Sequence, residues 1–196
     1  MTRELKFGRK APVSGTARSM VVFLHGYGAD GADLLGLADP LGPHLKDTVF
    51  YAPDAPEPCA GNPFGRQWFG IPRFDGSSEV DAAVAMNRAA DDLNAFLEAR
   101  LTEEGLTPSA LALVGFSQGA MMSLHIAPRR DKALAGVVAI SGRLLRPQLL
   151  ASETKVKPPV LLVHGDQDPV VDFREMALAG DALVAAGFET FGHVMK

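Results

Sequence analysis

Short apolar runs alternate with amphipathic stretches from residue 19 to the end of the chain. Runs rich in β-branched and aromatic residues predict six buried strands, at residues 19–25, 48–53, 110–115, 135–141, 159–164 and 188–195. Between them, residues 78–101 and 173–186 place apolar side chains near one face at helical spacing. This alternation predicts a single α/β domain over residues 1–196, with a mainly parallel sheet covered by helices on both faces.

The segment 54–77 interrupts this alternation. It is rich in Pro and Gly, follows neither a strand nor a helix period, and is longer than most connections. We therefore expect an irregular loop across the carboxyl end of the sheet. The connections after the later strands are short, so no large lid is predicted.

Composition narrows the classes of partner. The net charge of −4 comes from interspersed charges without a basic stripe, which argues against nucleic acid. Cys59 is the single cysteine, so an internal disulfide and a cysteine zinc site are both excluded, and a cytoplasmic location fits. No stretch approaches the roughly 20 apolar residues of a membrane helix, and the first ten residues do not read as a signal peptide.

The strongest chemical signal is Gly115-Phe116-Ser117-Gln118-Gly119, which follows a predicted strand and precedes apolar helical residues. In a G-x-S-x-G turn at such a place the serine stands above the sheet in a strained backbone conformation, and the glycines make room for the neighbouring strand and helix. Ser117 is therefore the candidate nucleophile. The structural alternative is a serine that caps a helix after a glycine turn.

A second glycine-containing loop, His25-Gly26-Tyr27-Gly28, follows the first predicted strand. Ester cleavage needs two backbone N–H donors for the oxygen of the tetrahedral intermediate, one after the serine and one from an earlier loop. We predict the N–H groups of Gln118 and Tyr27 in these roles. His25 is expected to be structural, because the catalytic histidine of this arrangement follows the serine in sequence.

The third signal is an acidic turn after the predicted strand 159–164. The acid of a catalytic triad orients the imidazole and stabilises its charge, and in this chain order it follows the serine. Asp166 and Asp168 both qualify. Asp166 adjoins a glycine and suits the turn itself, so Asp168 is the favoured acid.

Together these elements resemble the phospholipase/carboxylesterase family, small serine hydrolases that include bacterial carboxylesterases and eukaryotic acyl-protein thioesterases. The resemblance spans nearly the whole chain and is carried by the sequences FLHGYGADGADL at 23–34, RQWFGI at 66–71, VGFSQGAMMSL at 114–124, AISGRLL at 139–145 and LLVHGDQDPVV at 161–171. It implies the α/β-hydrolase fold, Ser117 as nucleophile, Asp168 as triad acid, and Tyr27 and Gln118 as oxyanion donors. It also implies that neither a metal nor a cofactor takes part. Arg143 departs from the family pattern, which often has a bulky aromatic residue there.

The substrate is expected to be a small-molecule ester or another acyl compound. Trp68 lies in the Pro- and Gly-rich segment, where an apolar wall of the acyl pocket is the favoured role, and the resemblance implies the same. Leu144, Leu145 and Val170 are predicted to line the same shallow groove. Short to medium acyl chains should therefore be preferred.

The catalytic base is the open question. Only His193 follows Asp168, and it falls inside the last predicted strand, whereas the family places its histidine on a loop after this strand and before a closing helix. The favoured interpretation is a chain truncated before that loop and helix, with at most a trace of activity. In the alternatives, His193 bends into the site, or the protein is a binding module that does not catalyse.

Two classes of function remain open on the sequence. One is an ester hydrolase, either a carboxylesterase or an acyl-protein thioesterase or lysophospholipase, that forms an acyl-enzyme on Ser117. The other is a non-catalytic module that binds acyl groups in the same pocket. The oligomeric state stays open between a monomer and a homodimer.

Overall fold

The computed structural model describes residues 2–59 and 62–196 of the chain. The strands are β1 (Phe7–Lys10), β2 (Ser19–Leu24), β3 (Thr48–Pro53), β4 (Glu57–Cys59), β5 (Asn62–Gln67), β6 (Leu111–Phe116), β7 (Gly136–Ile140), β8 (Val160–Gly165) and β9 (Thr190–Met195). The helices are α1 (Gly31–Leu35), α2 (Ala38–Leu41), α3 (Pro72–Asp75), α4 (Glu79–Glu104), α5 (Gln118–Ile126), α6 (Pro147–Glu153) and α7 (Arg174–Ala185).

The main sheet has seven strands in the order β1-β3-β2-β6-β7-β8-β9. Every neighbouring pair is parallel except β1 and β3. The predicted mainly parallel sheet is thus confirmed, with all six predicted strands in it. The sequence did not predict β1, because its residues FGRK are mostly exposed and form no apolar run.

Side chains of β2 alternate between two cores, as the pleat of a strand requires. Met20, Val22 and Leu24 join a large cluster with residues of α4, α5 and α7. Phe23 points to the other face and packs with Phe50 of β3 and residues of α1 and α2. Helices therefore lie on both faces, as predicted.

The second face is covered unevenly. Helices α1 and α2 shield β3 and β2 there, whereas Val138, Leu161 and Val163 on the β7 and β8 side stay half-buried. In β9, every residue from 191 onward is exposed. Within the described part of the chain, this corner of the sheet is the least covered by helices.

The segment 54–77 is more ordered than the sequence suggests. It holds an antiparallel hairpin of β4 and β5 and the short helix α3, so the prediction of an irregular loop was wrong. Its order comes from long-range contacts that no local pattern reveals. The Gly28 N–H donates to the Arg66 carbonyl at 2.9 Å, and the Arg66 N–H donates to the Ala29 carbonyl at 2.8 Å.

The predicted helices 78–101 and 173–186 correspond to α4 and α7. The hydroxyl of Ser78 caps α4 by accepting from the Asp81 N–H, and Gly105 ends it at a φ of 64°, which a glycine adopts without strain. Among the described residues, no helix combines the length and apolar character needed to cross a bilayer.

Candidate active site

Ser117 occupies the turn between β6 and α5 with φ 51° and ψ −113°. Few residues other than glycine adopt such angles, so the turn is held by its surroundings. An added Cβ at Gly115 would lie 2.4 Å from the Gly119 carbonyl oxygen, and one at Gly119 would lie 2.0 Å from the Leu24 carbonyl oxygen. Both positions of the motif therefore require glycine, because neighbouring backbone atoms leave no room for a side chain.

The loop after β2 lies directly against the nucleophile. A Cβ added at Gly26 would be 3.3 Å from the Cβ of Ser117. The next N–H along the chain, that of Tyr27, has no hydrogen-bond acceptor among residues 2–59 and 62–196. Gln118 is the first residue of α5, where a helix leaves its N–H groups unpaired. The Gln118 N–H thus lies at the positive end of a helix directly after Ser117, and Tyr27 follows the glycine that lies against the serine.

The side chain of Tyr27 helps to fix this loop. Burial, followed by a hydrogen bond with Cys59 of β4, raises the pKa of the Tyr27 hydroxyl to about 12. Its ring lies 6.2 Å from that of Phe74, measured between centroids. The phenol is therefore neutral at ordinary pH, and its ring contacts α3.

The side chain of Gln118 has a role that the sequence did not reveal. It is fully buried, its Oε1 accepts from the Trp68 N–H at 2.8 Å, and its Nε2 donates to the Phe69 carbonyl at 2.7 Å. These two bonds fasten the segment after β5 to the start of α5. A glutamine next to the nucleophile was the available signal, but its partners are about fifty positions away in sequence.

Trp68 lies elsewhere than predicted. Its exposed fraction is 0%, and its indole Nε1–H donates to the His25 carbonyl at 3.0 Å. A side chain without exposed surface offers nothing to a ligand, so the prediction that Trp68 lines the acyl pocket is wrong for this arrangement. The indole instead supports the loop that carries Tyr27.

His25 is structural, as expected. Its Nε2 accepts from the Ala55 N–H at 2.9 Å, which leaves Nδ1 to donate to the Gly26 carbonyl at 2.8 Å. Burial lowers the pKa of this imidazole below its ordinary value. A neutral ring with both nitrogens occupied cannot serve as the base.

The two candidate acids differ sharply. Asp166 is exposed, and its carboxylate makes no hydrogen bond within the described residues, whereas Asp168 Oδ1 accepts from the N–H groups of Val170 at 2.9 Å and Val171 at 3.0 Å. Burial alone would raise the pKa of Asp168. Hydrogen bonds from Val171, Val170 and the Ser141 hydroxyl outweigh it and hold that pKa below its usual value.

Contacts connect Asp168 to the nucleophile turn. The Ser141 hydroxyl reaches Asp168, and the Ser141 N–H donates to the Val163 carbonyl at 2.8 Å. A Cβ added at the next residue, Gly142, would lie 3.2 Å from the Ser117 carbonyl oxygen. The candidate nucleophile Ser117 and the candidate acid Asp168 therefore share the carboxyl edge formed by β6, β7 and β8.

The other predicted lining residues have unequal access. Leu144 is buried and Leu145 half-buried, both against the large core. Val170 is 57% exposed, and its carbonyl accepts from Arg73 at 3.2 Å. Phe116, which adjoins the nucleophile, is 45% exposed and adds an apolar surface that sequence reasoning missed.

His193 does not reach the nucleophile. It lies opposite Val163 of β8, which lies opposite Ile140 of β7, which in turn lies opposite Phe116 of β6. Three strand spacings of about 4.8 Å place it roughly 14 Å from β6. With β9 paired to β8 in this register, His193 does not bend into the site.

The remaining histidines do not supply the base either. His164 is buried with Nε2 2.9 Å from the Val171 carbonyl and 3.6 Å from Asp168 Oδ2, and His44 is exposed near the amino end of β3. His125 lies near the end of α5. None of the five histidines, all of which lie in the described residues, is therefore placed to act as a base for Ser117 in this arrangement.

Comparisons with known proteins agree with this geometry. The phospholipase/carboxylesterase family matches residues 11–196. The chain is 30% identical over 178 residues to the esterase YpfH of Escherichia coli (strain K12), covering 87% of this chain and 71% of that protein. It is 34% identical over 171 residues to acyl-protein thioesterase 1 of Saccharomyces cerevisiae, covering 79% and 72%.

Solved structures give the same result. The crystal structure of esterase PE8 superposes with a TM-score of 0.93 at 39% identity, over 98% of this chain and 89% of that one. Acyl-protein thioesterase 2 of Zea mays superposes with a TM-score of 0.76 at 25% identity, over 97% and 89%. The chain therefore belongs to the phospholipase/carboxylesterase family of serine ester hydrolases, with the α/β-hydrolase fold.

Proposed function

We propose that this protein is a carboxylesterase that hydrolyses short to medium acyl esters, thioesters included, through an acyl-enzyme on Ser117. The observation that carries the proposal is the strained serine at the start of α5 with the Gly26–Tyr27 backbone against it. This is the geometry that acyl transfer requires, since nucleophile and oxyanion donors must converge on one carbonyl. Relatives named esterase and acyl-protein thioesterase support the same chemistry.

The proposed reaction proceeds in two halves. The Ser117 hydroxyl oxygen bonds to the carbonyl carbon while its proton passes to an imidazole, and the N–H groups of Tyr27 and Gln118 hold the resulting oxyanion. Collapse breaks the bond to the alcohol or thiol, which leaves with that proton. Water then attacks the acyl-enzyme in the same way and releases the acid. Asp168 would orient the imidazole through a hydrogen bond.

The acyl group is proposed to lie on the apolar surface of Phe116, Leu145 and Val170, with Leu144 behind them. Only Phe116 and Val170 are largely exposed, so the surface is shallow and favours short chains. An acylated protein is the second candidate substrate, which the name of the yeast relative favours, and a lysophospholipid is a further one.

The location and assembly are proposals as well. The single cysteine is buried and leaves no requirement for an oxidising compartment, which supports a cytoplasmic location. The exposed apolar side chains of Phe191 and Val194 on the edge strand β9 support a homodimer. Sedimentation equilibrium at micromolar concentration would show the dimer mass, and a monomer at all concentrations would exclude it.

The experiment uses added imidazole, because no described histidine reaches Ser117. Hydrolysis of nitrophenyl butyrate is measured with and without added imidazole for the natural chain, Ser117→Ala and His193→Ala. We expect imidazole to raise turnover about 10-fold or more in the natural chain, because a hydroxyl without a base is a poor nucleophile. Ser117→Ala should show only the reaction of imidazole with the ester.

Two results would contradict the proposal. Imidazole-assisted turnover that is equal in Ser117→Ala would remove Ser117 from the reaction. A chain that binds the product acid but never becomes acylated, with or without imidazole, would show the non-catalytic module instead. Mass spectrometry of the Ser117 peptide after reaction with a fluorophosphonate separates the two, because the label marks the nucleophile directly.

A further inference from the structure

A polar cavity lies near the carboxyl end of α5, the helix that begins at the Ser117 turn. His125 is eight residues beyond Ser117, which is roughly 12 Å along α5 at 1.5 Å per residue. The cavity has a volume of about 510 Å³, and its charged lining residues are Arg129, Arg146, Glu153 and Lys155. It shares no residue with the predicted site at the carboxyl edge of the sheet.

Positive charge exceeds negative charge in this lining. Arg129 donates from Nε to Glu153 Oε2 at 2.7 Å, and Lys155 donates to Asp131 Oδ1 at 2.8 Å. The carbonyl of Arg146 accepts from the Leu149 N–H at 3.0 Å, but its guanidinium makes neither a hydrogen bond nor an ion pair with any described residue, although the residue is only half-exposed. Its charge is therefore left without a carboxylate in the part of the chain that the structure describes.

The backbone holds Arg146 in an unusual conformation. Its φ is 50°, a left-handed value that residues other than glycine, asparagine and aspartate seldom adopt. Arg146 directly precedes Pro147 at the start of α6, so the chain turns sharply there and aims the residue at the cavity. Packing alone does not explain why Arg146 combines a left-handed backbone conformation with a guanidinium that has no carboxylate partner.

His125 adds a buried polar atom to the same cavity. The residue is only 6% exposed, and its Nδ1 is buried without a hydrogen-bond partner among the described residues. Burial, then the charges of Arg129 and Arg146, lower its pKa to about 4, so the ring is neutral at pH 7. The ring therefore adds no charge to the lining, and its position there makes it a reporter of what the cavity holds.

We propose that this cavity binds a small anion bearing a carboxylate or phosphate group, with Arg146 as its charge partner and His125 in its lining. Two of the three cations are paired with carboxylates, Arg129 with Glu153 and Lys155 with Asp131, so one positive charge, that of Arg146, is in excess and would attract an anion. The cavity is larger than inorganic phosphate needs, which leaves space for a small organic anion. The inference does not depend on the esterase activity.

The test is a direct binding measurement on the whole chain. Inorganic phosphate, succinate and uncharged glycerol are titrated at pH 7 and constant ionic strength, and the Cε1–H resonances of the five histidines are followed by NMR. The resonance lost in His125→Gln identifies His125. We expect that resonance to shift saturably with phosphate or succinate and not with glycerol, and the better of the two anions indicates which group the ligand carries.

Two variants should change the affinity in opposite directions. Arg146→Asn keeps a residue that tolerates the left-handed conformation but removes the charge, and should weaken anion binding by about 10-fold. Glu153→Gln removes the carboxylate that faces the anion, and should strengthen binding by roughly 3- to 10-fold. Arg18→Asn, which removes an exposed charge at the start of β2, is the matched control and should bind like the natural chain.

The proposal fails if the His125 resonance does not move with either anion, or if all five histidines shift together, since that would be nonspecific screening. It also fails if Arg18→Asn weakens binding as much as Arg146→Asn. Should Arg146→Asn fold poorly, Glu153→Gln decides alone, because unchanged or weaker binding there contradicts an anion in this cavity.

Discussion

The nucleophile turn and strand β9 belong to one sheet, yet their surroundings differ completely. Around Ser117, backbone atoms of β2, β6 and α5 approach so closely that neither Gly115 nor Gly119 could carry a side chain. At β9 the sheet has a neighbour on one side only, and residues 191–196 are exposed. The serine turn is enclosed by backbone, whereas β9 is held by β8 on one side and by α7 on one face only.

The difference matters because Ser117 and the one histidine of the sequence that follows Asp168 lie in these two regions. A nucleophile and its oxyanion donors must be held to within a few tenths of an ångström, and the tight turn does this. In this chain order the base follows Asp168, and the histidine of the printed sequence that does so is His193 on β9. The serine turn is fixed by packing, whereas the strand that carries this histidine lies at the exposed edge of the sheet.

The largest contrast is expected from two Gly→Ala substitutions. In Gly119→Ala the new methyl group would lie 2.0 Å from the Leu24 carbonyl oxygen, so the turn must open and the free energy of unfolding should fall by about 2–4 kcal/mol. Fluorophosphonate labelling of Ser117 should be lost with it, since displacement of about 1 Å costs roughly 10²-fold in rate.

Gly180→Ala in α7 is the matched control near β9. There the nearest atom to the added methyl is a Leu162 side-chain carbon at 3.7 Å, an ordinary contact. Alanine is the better helix former, so stability should rise by up to about 1 kcal/mol. Urea denaturation of both variants checks the pair, and equal effects would show that the two regions do not differ in restraint.

The second prediction concerns the clamp between α5 and the segment after β5. Gln118→Met keeps the volume but leaves the Trp68 N–H and the Phe69 carbonyl without partners in a buried place. Two such groups should cost about 2–4 kcal/mol in unfolding free energy. The exposed Gln148→Met on α6 should change stability by less than about 0.5 kcal/mol. Thermal unfolding would contradict the clamp if both variants behaved alike.

Sequence reasoning succeeded where local pattern and local geometry coincide. The six apolar strands follow from local runs of apolar residues, and the serine turn follows from two glycines at fixed spacing. It failed at the hairpin β4–β5, whose order depends on hydrogen bonds with Gly28 and Ala29, and at Trp68, whose indole bonds to a carbonyl 43 positions earlier. Burial and partner identity at such distances are tertiary properties, so no window of sequence contains them.

The third prediction separates the two acids. In imidazole-assisted ester hydrolysis, Asp168→Asn should lower the rate by about 10- to 100-fold, less than the roughly 10⁴-fold cost in a fixed triad, because free imidazole can reorient. Asp166→Asn should stay within about 2-fold, since its carboxylate is exposed and unbonded within the described residues. Hydrolysis rates are measured at saturating imidazole. A larger loss in Asp166→Asn than in Asp168→Asn would make Asp166 the triad acid instead.

The smallest effect is expected at His193, although it is the one histidine that follows Asp168. Its register opposite Val163 places it three strands from Phe116, and its side chain is exposed on the edge strand. A strand that keeps its six paired positions with β8 cannot carry this imidazole across roughly 14 Å. His193→Ala should therefore leave the ester hydrolysis rate within about 2-fold, with or without added imidazole, and stability within about 0.5 kcal/mol.

Phe191→Ala, on the same strand, is the matched control for damage to β9. It should lower stability without selectively removing activity, because Phe191 forms part of the apolar groove beside α7. A fall of 10³-fold or more in His193→Ala, in a variant that unfolds like the natural chain, would show that β9 leaves its register to deliver the base. In that case the exposed edge is a moving part of the site, and the contrast with the rigid serine turn becomes one between a fixed nucleophile and a mobile base.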